Sequence, residues 1–140
     1  KIYIIGDGNN LRSLCFIDNL VEGLVLLVNK PNIEGKTYIL SDNFPYNFNQ
    51  IIMTISAVIR RKIRIVYLPY FLGEFLWKIH NVIGKLFNLY FVELYSIKTM
   101  TLNLGCDIAK AKKEIGYNPS ISLGIGIKTT VDWIKSSYYQ

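Results

Sequence analysis

Short runs of β-branched residues alternate along this chain with stretches whose apolar residues recur at intervals of three and four. That alternation confines the fold to an α/β arrangement, because a period of two suits a strand and a period near 3.6 suits one face of a helix. Strands are expected over Lys1–Ile5, Leu14–Ile17, Lys36–Leu40 and Ile63–Leu68. Between them, Asp18 should cap a helix running to about Val28, with Leu20, Leu24 and Leu27 on its inner face. Asn47 is placed to cap a helix over Phe48–Ile59, whose apolar side carries Ile51, Ile52, Ile55 and Val58. The longest amphipathic pattern follows Pro69. Leu72, Phe75, Leu76, Ile79, Ile83 and Leu86 share one face, and Glu74, Lys78, Asn81 and Lys85 fall opposite, as in a surface helix lying on a core. Tyr90–Lys98 reads as a weaker helix. Asp107 should cap a short helix over Ile108–Ile115, which Gly116 ends and Pro119 keeps from resuming. Ser122 opens the last helix, with Leu123, Ile127, Val131 and Ile134 inward. Helix exceeds strand throughout, and no repeat or long linker divides the 140 residues, so one domain at most is expected.

Composition narrows the functional classes. Hydrophobic residues make up 51% of the chain, including ten Tyr, seven Phe and two Trp, which excludes a disordered tail. So high a share in so short a chain also fits a body that leaves apolar surface for a further part. Tyr70–Phe87 comes nearest to a membrane span, but Glu74, Lys78, His80 and Lys85 interrupt it. Cys15 and Cys106 lack metal-ligand spacing, and His80 is a lone histidine. Two reduced thiols and no leader pattern lead us to expect a soluble, cytoplasmic chain. The net charge is +6, with its densest run at Arg60, Arg61, Lys62 and Arg64. The other basic residues are scattered without interleaved stacking aromatics, so a solvated surface is expected rather than a nucleic-acid face.

Ile4-Ile5-Gly6-Asp7-Gly8 has the form of a strand entering a Gly-x-Gly turn. The third glycine of a dinucleotide fingerprint would fall at Leu11, and no helix is expected to open there. Cofactor binding is therefore not expected at this loop. The chain also contains no P-loop, no nucleophile–base pair and no carboxylate pair. On these residues alone it is an α/β domain with one basic side chain, Arg12, just after a glycine turn.

The order of motifs carries more. Gly6-Asp7-Gly8-Asn9-Asn10-Leu11-Arg12, then Ile17-Asp18-Asn19-Leu20-Val21-Glu22-Gly23, then Gly35-Lys36-Thr37-Tyr38-Ile39-Leu40 stand in sequence. Asp107-Ile108-Ala109-Lys110-Ala111 through Gly116-Tyr117-Asn118-Pro119, with Ser122-Leu123 and Thr130-Val131-Asp132-Trp133, close the chain. Together they resemble the C-terminal, substrate-binding half of the extended short-chain dehydrogenase/reductase superfamily. The resemblance covers nearly the whole chain.

It implies a helix-rich C-terminal part of a Rossmann-type enzyme. The catalytic Tyr-x-x-x-Lys and the glycine-rich loop for NAD or NADP would belong to a preceding half outside this chain. The chain alone is then expected to be inactive, to bind no cofactor, and to self-associate through the face meant for that half. The activity implied is that of a nucleotide-sugar epimerase or dehydratase, an oxidoreductase or isomerase, with Arg12, Asn10 and Lys98 as substrate-binding residues. Two departures stand out. Gly124 and Ile125 replace the acidic residues usual after Ser-Leu, and Lys98 stands where the family often has a second arginine. Asp18-Asn19 and the apolar helix after Tyr70 resemble instead the 3β-hydroxysteroid-dehydrogenase-like branch, which implies an apolar alcohol or ketone as substrate. A non-catalytic interaction module is the third alternative.

Overall fold

The computed structural model describes residues 1–87 and 102–138. Strand β1 (Ile2–Ile5) pairs in parallel with β4 (Ile65–Leu68), in the register Ile2 to Ile65 through Ile5 to Leu68. The Gly6 N–H donates to the Leu68 carbonyl at 2.7 Å and continues the ladder by one step. A parallel pair needs a long crossover. Here it holds β2 (Leu11–Arg12), α1 (Ile17–Asn29), β3 (Tyr46–Asn47) and α2 (Phe48–Ile59). After β4 come α3 (Tyr70–Phe87), α4 (Ala109–Ile115) and α5 (Leu123–Tyr138). The result is a mixed, helix-rich α/β fold, as expected.

Local chemistry explains the helix limits. Asn47 Oδ1 accepts from the Gln50 N–H at 2.8 Å, and Gln50 Oε1 accepts from the Asn47 N–H at 2.9 Å. This reciprocal box starts α2 at the expected residue. Ile108, not the expected Asp107, is the N-cap of α4, although Asp107 Oδ1 accepts from the Ala109 N–H at 2.8 Å, and Gly116, at φ +74°, ends the helix in the left-handed region. The main core lies between α1 and α4. Ile108, Ala111, Ile115 and Tyr117 are buried there beneath Leu26, Leu27, Ile33, Tyr38 and Leu40. α2 packs along α5.

Several expectations fail, each for a physical reason. Leu14–Ile17 is not a strand. The Leu14 carbonyl accepts from the Asp42 N–H at 2.7 Å, and the Phe16 N–H donates to Asp42 Oδ1 at 3.0 Å. One aspartate thus takes backbone groups that a ladder would have used. Phe16 is the N-cap of α1, and Asp18 lies in its first turn instead of capping it. Lys36–Leu40 belongs to no strand; Tyr38 and Leu40 still turn onto the core, which accounts for the apolar pattern. On α1 the buried residues are Asn19 and Gly23, with Leu26 and Leu27 partly buried, while Leu24 is exposed.

The largest reversal is α3. Phe75, Leu76, Ile79, Ile83 and Leu86 are exposed, and the buried line is Gly73, His80 and Gly84. Burial falls on the line of glycines and histidine, which a count of apolar side chains does not register. Ile134 of α5 is likewise exposed. The expected helix over Tyr90–Lys98 lies outside the described residues.

Candidate functional site

Arg12 sits where three chain segments meet. β2 pairs antiparallel with β3, setting Arg12 opposite Tyr46, and Arg12 also bridges Leu104 in parallel. The Leu104 N–H donates to the Leu11 carbonyl at 2.8 Å, and the Ser13 N–H donates to the Leu104 carbonyl at 3.0 Å. Asn103 Oδ1 accepts from the Leu11 N–H at 2.9 Å. The backbone on both sides of Arg12 is therefore tied down. Its guanidinium carbon lies 5.3 Å from the centroid of the Phe48 ring, within cation–π range.

The loop leading to Arg12 is built around two glycines in the left-handed region, Gly6 at φ +87° and Gly8 at φ +73°. A Cβ on Gly6 would enter the Tyr70 ring, and one on Gly8 would enter the Asn49 carboxamide. Asn49 holds this loop to α2. Its N–H donates to the Gly8 carbonyl at 3.2 Å and its Nδ2 to the Asp7 carbonyl at 2.9 Å, while Tyr67 donates to its Oδ1 at 3.0 Å. Asp7 accepts from the backbone and side-chain amides of Asn9, both at 2.9 Å. The backbone bond from Asn9, then its side-chain bond, hold the Asp7 carboxyl below its usual range. An open cleft of about 530 Å³ lies beside the loop, lined by Gly6, Asp7, Tyr67, Leu68, Pro69 and Tyr70. It occupies the carboxyl ends of the parallel strands, where open α/β sheets commonly receive ligands.

The glycine turn leads into β2 and not into a helix. Asn49 also fills the space through which a phosphate would approach Gly8. These residues do not fit a dinucleotide pyrophosphate cradle.

Of the expected substrate-binding residues, Arg12 is half-buried on this frame and Asn10, two positions earlier, is buried. Lys98 lies outside the described residues. Sequence reasoning missed Phe48, Asn49 and Tyr67. Phe48 and Asn49 follow the Asn47 cap directly, so the start of α2 is legible, but nothing local says that it faces Arg12.

Behind the site is a buried polar knot. Asn19 Nδ2 donates to Asp42 Oδ1 at 2.8 Å, and the Tyr117 hydroxyl donates to the Ser41 carbonyl at 3.0 Å. Burial pushes the Tyr117 hydroxyl and the Cys15 thiol upward, so both stay protonated near neutrality. Among the described residues no group of His, Cys, Asp and Glu could hold a metal, and no helix is long and apolar enough to cross a membrane.

No family model matches the chain. Individual proteins do. Uncharacterized protein y4nL of Sinorhizobium fredii is 30% identical over 95% of this chain and 39% of its own length. A sterol-4-alpha-carboxylate 3-dehydrogenase of Candida albicans is 28% identical over 94% of this chain and 41% of its own. The UDP-glucuronate 4-epimerase of Thermodesulfobacterium geofontis is 27% identical over 97% and 34%. The relatives of this chain that carry a named activity are epimerases and sterol-carboxylate dehydrogenases of the short-chain dehydrogenase/reductase type.

Solved structures of similar proteins agree on the fold. The UDP-glucose 4-epimerase of Thermotoga maritima, solved with UDP-glucose, superposes at a TM-score of 0.67 with 20% identity over 98% of this chain and 35% of its own. The UDP-glucuronic acid 4-epimerase of Bacillus cereus, solved with NAD, gives 0.64 with 20% identity over 98% and 34%. The chain matches the C-terminal portion of such Rossmann-type epimerases. It spans about 40% of the length of the first curated relatives.

Proposed function

We propose that this chain is the substrate-binding part of an NAD-dependent nucleotide-sugar epimerase or dehydratase, and that Arg12 binds the diphosphate. In that chemistry the nicotinamide takes hydride from a sugar hydroxyl and the keto sugar is then altered or reduced again. The residues of this chain bind and orient. The observation that carries the reading is the frame around Arg12: backbone pairing on two sides and the Phe48 ring against its guanidinium hold this arginine at the end of the glycine loop, whose Gly6 and Asp7 line the cleft at the strand ends. A guanidinium fork suits phosphate oxygens bidentately. Likeness to UDP-sugar epimerases supports it. Asn10 and Lys98 are the lesser candidates for substrate contact.

The second half of the reading concerns the exposed stripes. Ile17, Val21, Leu24, Val25 and Val28 of α1 form one face at helical spacing, and Phe71, Phe75, Ile79, Val82 and Leu86 of α3 form another. The relatives are more than twice as long as this chain. These stripes are fitted to pack against a dinucleotide-binding portion of the same protein, since such faces are rarely left to water. Where that portion is lacking, they would drive self-association.

The alternative substrate, an apolar alcohol or ketone, is favoured by the likeness to the sterol-carboxylate dehydrogenase. A thermal-shift panel on the full-length protein separates the two. UDP-, dTDP- and GDP-sugars should raise the melting temperature in the presence of NAD, and a 3β-hydroxysterol should not. The opposite pattern would transfer the assignment to the apolar substrate.

A further inference from the structure

We propose that Phe48 is a positioning residue for Arg12, holding the guanidinium ready for the phosphates. The inference rests on the reading of Arg12 given above and extends it to a residue that no sequence motif marks.

An arginine side chain has about 2 kcal/mol of rotamer entropy to lose when a ligand fixes it. The Arg12 backbone is fixed from both sides by Tyr46 and Leu104. Its guanidinium carbon is 5.3 Å from the Phe48 ring centroid. A cation over a ring face is attracted by the ring quadrupole, and the contact occupies no oxygen acceptor. Part of the ordering cost is therefore met before ligand arrives, which is how preorganisation raises affinity.

Phe48 is itself well anchored. It is the first residue of α2, directly after the Asn47 cap whose box with Gln50 fixes the helix start. Asn49, the next residue, grips the Gly6–Arg12 loop through the carbonyls of Asp7 and Gly8. One end of α2 thus positions both the arginine's side chain and the loop that delivers it. A ring so held acts on Arg12 as a fixed platform. A leucine of similar bulk would fill the space without the quadrupole.

The test is calorimetric titration of the full-length protein with UDP, dTDP and GDP, using whichever the wild type binds. Phe48→Leu should weaken binding by about threefold to thirtyfold, the range that a cation–π contact corresponds to. Phe48→Met, which keeps the volume, should do the same if Phe48→Leu folds poorly. Phe48→Tyr, which keeps the ring face, should bind within about twofold of the wild type. The deciding measurement is the double-variant cycle with Arg12→Ala. Once Arg12 is gone, Phe48→Leu should cost nothing further. Wild-type binding by both Phe48→Leu and Phe48→Met would overturn the inference, as would losses that simply add in the double variant. Wild-type binding by Arg12→Ala, or no binding of any of the three by the wild type, would instead remove the diphosphate reading and the inference with it.

Discussion

The Asn19 carboxamide pairs with both backbone groups of Ile121, accepting from its N–H at 3.0 Å and donating to its carbonyl at 2.9 Å. The same Nδ2 donates to Asp42 at 2.8 Å, and the Asn19 side chain is fully buried. One amide therefore joins the start of α1, the segment at Asp42 and the approach to α5. Asn19→Ala removes the partner of two part-buried groups, the Ile121 N–H and carbonyl, each costing about 1–3 kcal/mol when unsatisfied, while Asp42 Oδ1 keeps its bond from the Phe16 N–H. Urea unfolding should show a loss of roughly 2–4 kcal/mol, with incomplete additivity allowed for. Asn19→Asp should be worse than Asp42→Asn, because it sets two carboxylates together, and combining the two substitutions should recover part of the loss. Additive losses in the double variant would contradict the pairing.

Gly8 carries the loop at φ +73° with the Asn49 amide against it. Gly8→Ala combines backbone strain with a clash and should cost about 1–3 kcal/mol. The same change at Gly35, also at positive φ but with open space around it, should cost less. Equal losses at the two positions, measured by denaturant midpoint, would mean that Asn49 does not clamp the loop.

How much of this was legible beforehand follows from the range of the forces involved. α2 and the end of α4 were readable because their signals are local: Asn47 with Gln50 three residues on, and Gly116 where the helix must turn left-handed. β2 and β3 hold two residues each, too few for a period to register. Leu14–Ile17 has strand composition, yet a side chain 26 residues from Phe16 takes its backbone bond. For α3 the periodicity identified an apolar face correctly but could not say whether the molecule covers it. Around the candidate site, the motif singles out Arg12 as a candidate but not Phe48, because the two meet only through the β2–β3 pairing.

The two thiols should separate cleanly in a labelling experiment. Cys106 is exposed, whereas Cys15 is half-buried, lies 3.9 Å from the Tyr117 hydroxyl, and is pushed upward by burial. Since the thiolate is the reactive form, a maleimide at pH 7 should modify Cys106 rapidly and Cys15 only on unfolding. Similar rates for both, followed by mass spectrometry, would contradict the packing around Tyr117.

Glu114 gives the stability a specific pH dependence. It accepts from Tyr38 at 2.8 Å and pairs with Lys36 at 3.2 Å, and these contacts, Tyr38 first, hold its carboxyl below the ordinary 4.5. A group depressed on folding contributes stability above its unfolded value and loses it as the pH falls through the folded one. Glu114→Gln should therefore flatten the stability profile below about pH 4.5. An unchanged acid limb in urea midpoints would show that the carboxylate contributes nothing.

The most direct test of the functional account is the affinity of full-length Arg12→Ala for a nucleotide sugar, measured by calorimetry beside NAD. A charge-assisted phosphate hydrogen bond contributes roughly 1.5–3 kcal/mol, and each 1.4 kcal/mol is about tenfold in affinity. The account predicts a loss of about tenfold to a hundredfold, unchanged NAD affinity, partial recovery in Arg12→Lys, and a smaller effect of Lys98→Ala. Wild-type affinity in Arg12→Ala would contradict it and leave the apolar-substrate reading in its place.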